Sequence, residues 1–172
     1  GQGALVSRSI KPREGKTLIQ VDDTLQALQD IAHYIRVQRD IPVVAVTGSN
    51  GKTTTKELSY EILSTRYKAA RNTGNFNNHI GLPLSLIRIR EDDEVVVLEM
   101  GASAPGEIRR LCDIAVPTCG VVTNIGQAHL EGFGTLEITR RTKLEILERV
   151  KTVIVNADAP FLMEGIQQSG FR

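Results

Sequence analysis

Residues 46–58 (VTGSNGKTTTKEL) contain the side-chain types that commonly bind phosphate groups. The segment follows an apolar run and is predicted to open a helix, whose free N–H groups and dipole attract anions. Lys52 can reach terminal phosphates, and the Thr53 hydroxyl is a suitable Mg²⁺ ligand. Only two residues separate Gly48 from Gly51, so the loop is shorter than the usual phosphate-binding pattern. The alternative is a capped helix start with solvated threonines.

A carboxylate and a histidine follow two further apolar runs. Glu99 comes directly after Val95–Leu98, where a buried carboxylate needs a partner, either a hard cation or a nearby basic side chain. His129 lies in the loop that follows the apolar run 119–123. Carboxyl ends of parallel strands meet at one edge of a sheet. We therefore expect both side chains near Lys52, although a lone histidine is more often structural.

Lys143 lies within an apolar helical stripe. Leu136, Leu147 and Val150 share its face at about 100° per residue. Spacing alone favours a lysine whose ammonium extends out to water. The alternative is an amine that points into a site and is chemically active.

Residues 71–86 (RNTGNFNNHIGLPLSL) place several asparagines before an apolar helix. Amide side chains in such a loop can bind a ligand. They can equally occupy a surface turn, because asparagine tolerates left-handed backbone conformations.

The elements around these residues predict an α/β fold with a mostly parallel sheet and helices on both faces, because continuous apolar strands alternate with helical patterns. Asp22 and Asp23 are predicted to cap the first helix, after a short strand at 18–21. The predicted later strands are 42–47, 94–98, 119–123 and 152–155, and the predicted later helices lie near 52–65, 80–89, 106–112, 135–149 and 160–168.

Composition narrows the class of protein. The chain has 172 residues, 41% hydrophobic and 24% charged, with a net charge of +1, as in a globular domain. This balance indicates neither a nucleic-acid partner nor membrane insertion. Cys112 and Cys119 lack the spacing of a disulfide framework or zinc site, so we expect a reducing, cytoplasmic setting.

Four segments together make the chain resemble the Mur ligase superfamily, whose phosphate loop has this short form. They occur in the order VTGSNGKTTTKEL, NTGNFNNHIGLPLSL, VLEMGASAPGEI and TNIGQAHLEGFGT. The resemblance implies the P-loop NTPase-like central domain of that family. It is strongest to the members that add D-alanyl-D-alanine to UDP-N-acetylmuramoyl-tripeptide in peptidoglycan synthesis.

The resemblance implies a monomeric ligase that depends on ATP and Mg²⁺ and acts through an acyl phosphate. Its substrates would be D-alanyl-D-alanine and UDP-N-acetylmuramoyl-tripeptide. It implies that Asn75 lies near the phosphate and the reacting carboxylate, and that His129 and Glu99 bind metal. Lys143 matches a lysine that the family carbamylates, so the resemblance favours an inward-pointing side chain. The residues that match the ATP phosphate loop are Gly48, Ser49, Asn50, Gly51, Lys52, Thr53 and Thr54, with Thr53 also a Mg²⁺ ligand.

One segment departs from the family pattern. Small residues usually precede the carbamylated lysine, whereas this chain has Arg140 and Arg141 there. Bulky side chains at these positions change the local packing around Lys143.

The resemblance also implies a domain organisation. Residues 1–40 match the end of an N-terminal domain that binds the UDP end of the substrate. Residues 41–172 match part of the central ATP-binding domain. We expect a piece of a longer enzyme, without the C-terminal domain and inactive in ligation by itself. The alternatives are a sister ligase, of the other amino-acid-adding, folylpolyglutamate or cyanophycin type, or a non-catalytic nucleotide-binding fragment.

Overall fold

The computed structural model describes residues 2–11, 14–126 and 134–171. The strands are β1 (Gly3–Val6), β2 (Thr17–Gln20), β3 (Val43–Thr47), β4 (Ala69–Arg71), β5 (Val95–Glu99), β6 (Cys119–Val122) and β7 (Thr152–Val155). The helices are α1 (Thr24–Val37), α2 (Lys52–Ser64), α3 (Gly81–Ile87), α4 (Glu107–Ala115), α5 (Leu136–Leu144) and α6 (Pro160–Ser169), and a 3₁₀ turn (Glu145–Glu148) follows α5.

The central sheet has five parallel strands in the order β4-β5-β3-β6-β7. β1 and β2 form a separate parallel pair. The predicted parallel sheet with intervening helices is confirmed, and two short strands, β1 and β4, were missed. β4 escaped prediction because its three residues (Ala69–Arg71) form no continuous apolar run.

The core lies between the central strands and the helices that follow them. β3 and β5 consist of buried residues apart from the half-buried Val44, as the apolar runs predicted. The most enclosed apolar side chains include Val43, Leu82, Leu86, Leu98, Met100, Ile108 and Leu111. Because β3 is the middle strand, its carboxyl end is flanked by the ends of β5 and β6.

Helix α1 is held by polar contacts as well as apolar packing. Asp23 caps its first turn by accepting hydrogen bonds from the N–H groups of Leu25 and Gln26, as predicted for this position. The buried Arg36 donates to the carbonyl groups of Ala115 and Val116 at the end of α4. A guanidinium group satisfies terminal carbonyls that have no partner within a helix. The contact fixes α1 against α4.

Among the described residues, every helix is too short or too polar to cross a bilayer.

Candidate active site

The phosphate-type loop follows β3 directly and depends on two glycines. Gly48 has a φ of 141°, and a Cβ there would lie 2.0 Å from the Thr123 side-chain oxygen. Gly51 has a φ of 77° and is the N-cap of α2. Both conformations favour glycine, so the loop can turn sharply and lie against the end of β6.

The segment after β6 supports the loop through hydrogen bonds. The Thr123 hydroxyl donates to the carbonyl of Asn50 at 2.6 Å, and the Asn124 side chain accepts from the N–H of Asn50 at 2.9 Å. The Ser49 hydroxyl donates to the carbonyl of Gly126 and accepts from its N–H. The loop is thus fixed on one side before any ligand binds.

Lys52 lies over the loop that precedes it. Its Nζ donates to the carbonyl oxygens of Gly48 and Ser49 at 2.9 and 3.0 Å. Burial lowers the pKa of Lys52, and the Glu99 carboxylate opposes that shift. The ammonium group is therefore at the mouth of the loop, where phosphate oxygens would approach the start of α2.

Glu99, at the end of β5, is buried next to two hydrogen-bond donors. Its Oε2 accepts from the Thr53 hydroxyl at 2.8 Å, and its Oε1 accepts from the Asn77 amide at 2.8 Å. The sequence predicted that Glu99 would approach the phosphate loop, and the two meet at Thr53. The other proposed explanation, an ion pair with a basic side chain, is absent among the described residues.

Asn72 holds the backbone of Glu99 from both sides. Its side-chain oxygen accepts from the Glu99 N–H, and its side-chain nitrogen donates to the Glu99 carbonyl, both at 2.9 Å. The same nitrogen donates to the carbonyl of Phe76, within the asparagine-rich loop. Asn72 follows β4 directly, so its side chain extends the pairing between β4 and β5 by one residue.

Lys143 points inward, as the family resemblance implied and contrary to what spacing alone favoured. Only 2% of the residue is exposed, and its Nζ donates to the carbonyl of Ala102 at 3.2 Å. The pKa of Lys143 is lowered to about 8, first by burial and second by the positive charge of Lys52. Glu107 and Glu145 act in the opposite direction. The amine is therefore partly neutral near pH 8.

A cavity of about 670 Å³ joins these groups. Its lining includes Lys52, Asn77, Glu99, Glu107 and Lys143. A volume of this order is sufficient for a small organic ligand. The cavity thus has cationic side chains on α2 and α5 and a carboxylate on β5.

Two glutamates hold the loop between β5 and α4 that forms one wall of the cavity. Glu145 accepts hydrogen bonds from the N–H groups of Gly106 and Arg109, at the start of α4. Glu107 accepts from the N–H groups of Ser103 and Ala104. The free N–H groups at the start of α4 are therefore largely used by protein carboxylates.

Arg140 turns away from Lys143 and packs on α6. Its guanidinium group lies 4.2 Å from the centre of the Phe161 ring and pairs with Glu137 and Glu164. Arg141 is exposed. The departure from the small residues of the family pattern is accommodated on the far side of α5, so neither arginine enters the cavity.

The oxygen donors present suit Mg²⁺. A hydroxyl and a carboxylate lie within hydrogen-bond distance at Thr53 and Glu99, and Mg²⁺ is often held by one or two protein oxygens together with substrate phosphates. Among the described residues, no group of three histidine, cysteine, aspartate or glutamate side chains could hold a metal by itself.

The family model of the Mur ligase middle domain matches residues 46–172. The chain belongs to the Mur ligase family. The matched residues include the short loop at residues 48–51.

Individual relatives point to one branch of Mur ligases. The UDP-N-acetylmuramoyl-tripeptide–D-alanyl-D-alanine ligase of Bacillus subtilis is 45% identical over 162 residues, which cover 92% of this chain and 35% of that protein. The ligase of the same name from Escherichia coli is 38% identical, over 92% of this chain and 35% of that protein. The chain thus spans about a third of the length of these relatives.

Solved structures agree with this branch. MurF from Thermotoga maritima, in complex with ADP, is 36% identical with a TM-score of 0.88, covering 97% of this chain and 39% of that chain. A structure of MurF from Acinetobacter baumannii is 36% identical with a TM-score of 0.90, covering 96% of this chain and 37% of that chain. Lactobacillus casei FPGS, at 14% identity and a TM-score of 0.62, shows the shared fold alone.

The loop between β3 and α2 consists of Gly48, Ser49, Asn50 and Gly51. The other predicted Mur ligase site residues divide into three groups. Lys52, Thr53, Glu99 and Lys143 are brought to one cavity or its rim. Thr54 and Asn75 are exposed, and neither lines the cavity. His129 lies outside the described residues.

Two asparagines in the site were missed by sequence reasoning. Asn77 contacts the Glu99 carboxylate, and Asn72 holds its backbone. The signal was present in the asparagine-rich segment 71–86, but the sequence did not distinguish its members. The turn at Gly74, with a φ of 55°, helps decide which of them face inward.

Proposed function

We propose that this chain is the nucleotide-binding part of a Mur ligase that joins D-alanyl-D-alanine to UDP-N-acetylmuramoyl-tripeptide at the expense of ATP. The observation that carries the proposal is the Thr53–Glu99 contact at the mouth of the phosphate loop. This contact joins a hydroxyl and a carboxylate of the kind that bind Mg²⁺, and Glu99 lines the same cavity as Lys52, which supports the proposal. The similarity to D-alanyl-D-alanine ligases supports the choice of substrates.

In the first step, a carboxylate oxygen of the tripeptide attacks the γ-phosphorus of ATP, and the bond from that phosphorus to ADP breaks. The N–H groups at the start of α2 and the Lys52 ammonium hold the phosphate oxygens and offset the charge that builds on them. Thr53 and Glu99 would hold Mg²⁺. When bound, that ion neutralises charge on the transferring phosphoryl group.

In the second step, the amine of D-alanyl-D-alanine attacks the acyl carbon and loses a proton, and phosphate leaves with its bonding electron pair. A carboxylate is a poor electrophile, and phosphorylation supplies the leaving group. Lys143, which lines the same cavity, is proposed to react with carbon dioxide as its neutral amine, losing a proton to form a carbamate. Its depressed pKa favours that neutral form. The resulting anion would help to hold a second Mg²⁺ together with His129.

We also propose the domain assignment implied by the family. Residues 1–40 belong to the end of a domain that binds the UDP moiety, and residues 41–172 belong to the ATP-binding domain. The β1–β2 pair, which ends at Gln20 and stands apart from the central sheet, supports a separate first unit, whereas α1 packs against α4 of the second unit. With so much of the relatives' length unmatched, the activity expected of this chain alone is nucleotide binding, without ligation.

Calorimetric titration with ATP and ADP, with and without Mg²⁺, tests the nucleotide site. We expect binding by the wild-type chain and at least about a tenfold loss in Lys52→Ala, because a charge-assisted contact to phosphate is removed. Lys68→Ala, which changes an exposed lysine on the edge of the sheet, is the matched control. Equal affinity in the Lys52→Ala and wild-type chains would contradict the proposed site.

Substrate dependence tests the rest of the proposal. Phosphate release by a full-length ligase carrying these residues should require both the tripeptide substrate and D-alanyl-D-alanine. If the enzyme accepts only a single amino acid as the amine substrate, and not D-alanyl-D-alanine, it is a sister ligase. The chain alone should release no phosphate with either set of substrates.

For Lys143, labelled bicarbonate should give a carbamate signal in the NMR spectrum that is lost in Lys143→Met.

A further inference from the structure

Helix α2 buries a lysine while two of its apolar side chains face solvent. Lys56 is only 1% exposed, whereas Leu58 and Ile62 are 59% and 69% exposed. Lys56 is the buried residue of this helix, and the N-cap, Gly51, makes no side-chain hydrogen bond. The position of α2 therefore depends strongly on the contacts of Lys56.

The ammonium group of Lys56 has specific partners. Its Nζ donates to the carbonyl of Asn72 at 2.9 Å and lies 2.8 Å from a carboxylate oxygen of Glu57. Glu57 also pairs with Arg71 at the end of β4. Removing a charge from water costs several kcal/mol unless such partners are present, and removing the lysine would leave these partners without their donor.

The partners of Lys56 connect it to the metal-type oxygens described above. Lys56 holds the carbonyl of Asn72, and the Asn72 side chain holds the backbone of Glu99 on both sides. The Glu99 carboxylate in turn accepts from Thr53, in the first turn of the helix that carries Lys56. The contacts form a closed ring from α2 through the ends of β4 and β5 and back to α2.

Within this ring, two hydrogen-bonded connections join α2 to β5. One is direct, between Thr53 and Glu99, and the other passes through Lys56 and Asn72. A ligand entering between Thr53 and Glu99 must break their mutual hydrogen bond. The connection through Lys56 and Asn72 does not include that hydrogen bond. It can therefore still hold the Thr53 hydroxyl oxygen and the Glu99 carboxylate oxygen at a separation that admits the ligand.

We propose that Lys56 is a positioning residue that sets the separation of the Thr53 hydroxyl and the Glu99 carboxylate for Mg²⁺ in the nucleotide complex. The inference rests on the proposed function, since it concerns the same nucleotide site. Lys56 itself is buried and does not line the cavity, so its influence would pass through Asn72 and Glu99.

The affinity for ADP, measured by calorimetry in excess EDTA and in excess Mg²⁺, tests this proposal. Lys56→Met keeps the length of the side chain and removes its charge and donors. We expect its affinity in EDTA to stay within about twofold of wild type, because the loop and Lys52 are intact. The gain in affinity on adding Mg²⁺ should fall about tenfold, the equivalent of one charge-assisted hydrogen bond.

The matched control is Lys68→Met. Lys68 is an exposed lysine that pairs with Asp92 at 3.0 Å, near the β4–β5 edge but outside the ring of contacts. Its Mg²⁺-dependent gain should equal that of wild type. A thermal melt of each variant separates loss of stability from loss of the Mg²⁺ effect.

The possible outcomes are distinct. A Lys56→Met chain that melts at a lower temperature but keeps the full Mg²⁺-dependent gain would overturn the positioning role and leave the proposed function intact. A wild-type chain that binds no ADP in either condition would overturn the proposed function, and this inference with it. If Lys56→Met does not fold, Lys56→Gln, which retains a polar group, is measured with the same two criteria.

Discussion

Two buried lysines, one on α2 and one on α5, differ in the charged groups that surround them. Lys56 is 1% exposed and lies against the Glu57 carboxylate and a backbone carbonyl. Lys143 is 2% exposed and lines the same cavity as Lys52, whose charge adds to burial in lowering its pKa to about 8, while Glu107 and Glu145 act in the opposite direction. On the two proposals made above, Lys56 on α2 fixes the geometry of the site, whereas Lys143 on α5 supplies a reactive amine.

The largest expected effect comes from a substitution in the phosphate-type loop just before α2. Gly48→Ala places a Cβ 2.0 Å from the Thr123 side-chain oxygen and imposes a φ of 141° on alanine. We expect the free energy of unfolding to fall by about 3 kcal/mol or more and ADP binding to be lost. Denaturant unfolding and calorimetry check this.

Thr123→Ala in the same background separates the two causes. It removes the contacted oxygen and should recover part of the stability, while the backbone strain remains. A Gly48→Ala chain as stable as wild type would show that the loop is not fixed by the end of β6.

The next effect is on stability at Lys56. Lys56→Met leaves the Asn72 carbonyl and the Glu57 carboxylate without this partner, so we expect a loss of about 2 to 3 kcal/mol in the free energy of unfolding. The measurement is denaturant unfolding at pH 7. A variant that is more stable than wild type would remove the contrast between the two lysines.

Lys143→Met is expected to raise the free energy of unfolding, by an amount that depends on pH. Between a folded-state pKa of about 8 and the ordinary value of 10.5, the unfolded chain binds more protons than the folded chain. Wild-type stability should therefore rise with pH through this window. The cost of the buried charge is fully present below pH 8, where we expect the variant to be more stable by about 1 to 2 kcal/mol.

The difference in free energy of unfolding between Lys143→Met and wild type should disappear as the pH approaches 10.5. Denaturant unfolding at a series of pH values, in buffers free of carbon dioxide, measures this difference. Carbon dioxide must be excluded because a carbamate would change the charge of Lys143. Parallel pH profiles for the variant and wild type would show that Lys143 keeps an ordinary pKa.

The smallest effect is expected at Arg140, three residues before Lys143. Its guanidinium group stacks on Phe161 and pairs with Glu137 and Glu164, whose carboxylates are largely exposed. We expect Arg140→Ala to cost about 1 kcal/mol. Affinity for ADP should not change, because the contacts face α6. A large loss of affinity would place Arg140 in the site after all.

Prediction from sequence succeeded where one strand or one helix decides the outcome. The apolar runs located β3, β5, β6 and β7, and the carboxyl-end rule placed Glu99 beside the phosphate loop. The sequence left open the questions that another segment decides. Whether Asn75 or Asn77 faces the cavity depends on the turn between β4 and α3, and the direction of Arg140 depends on an aromatic ring in α6.

Lys143 shows the same limit. The spacing on α5 was correct, yet spacing alone could not choose between water and the cavity. The choice depends on the loop after β5, whose Ala102 carbonyl accepts from the amine. The family resemblance matched Lys143 to a carbamylated lysine and so implied an inward-pointing side chain, without identifying the Ala102 contact.

The position of β3 in the middle of the sheet has a consequence for how the chain folds. β3 pairs with β5 and β6, which lie far along the sequence, and the loop after β3 is supported by residues that follow β6. Pairings between distant segments form slowly because the intervening chain must first be ordered. During synthesis, the phosphate loop leaves the ribosome well before Thr123 and Asn124. Nucleotide affinity should therefore appear late in refolding, together with the whole sheet, and can report when the central strand is in place.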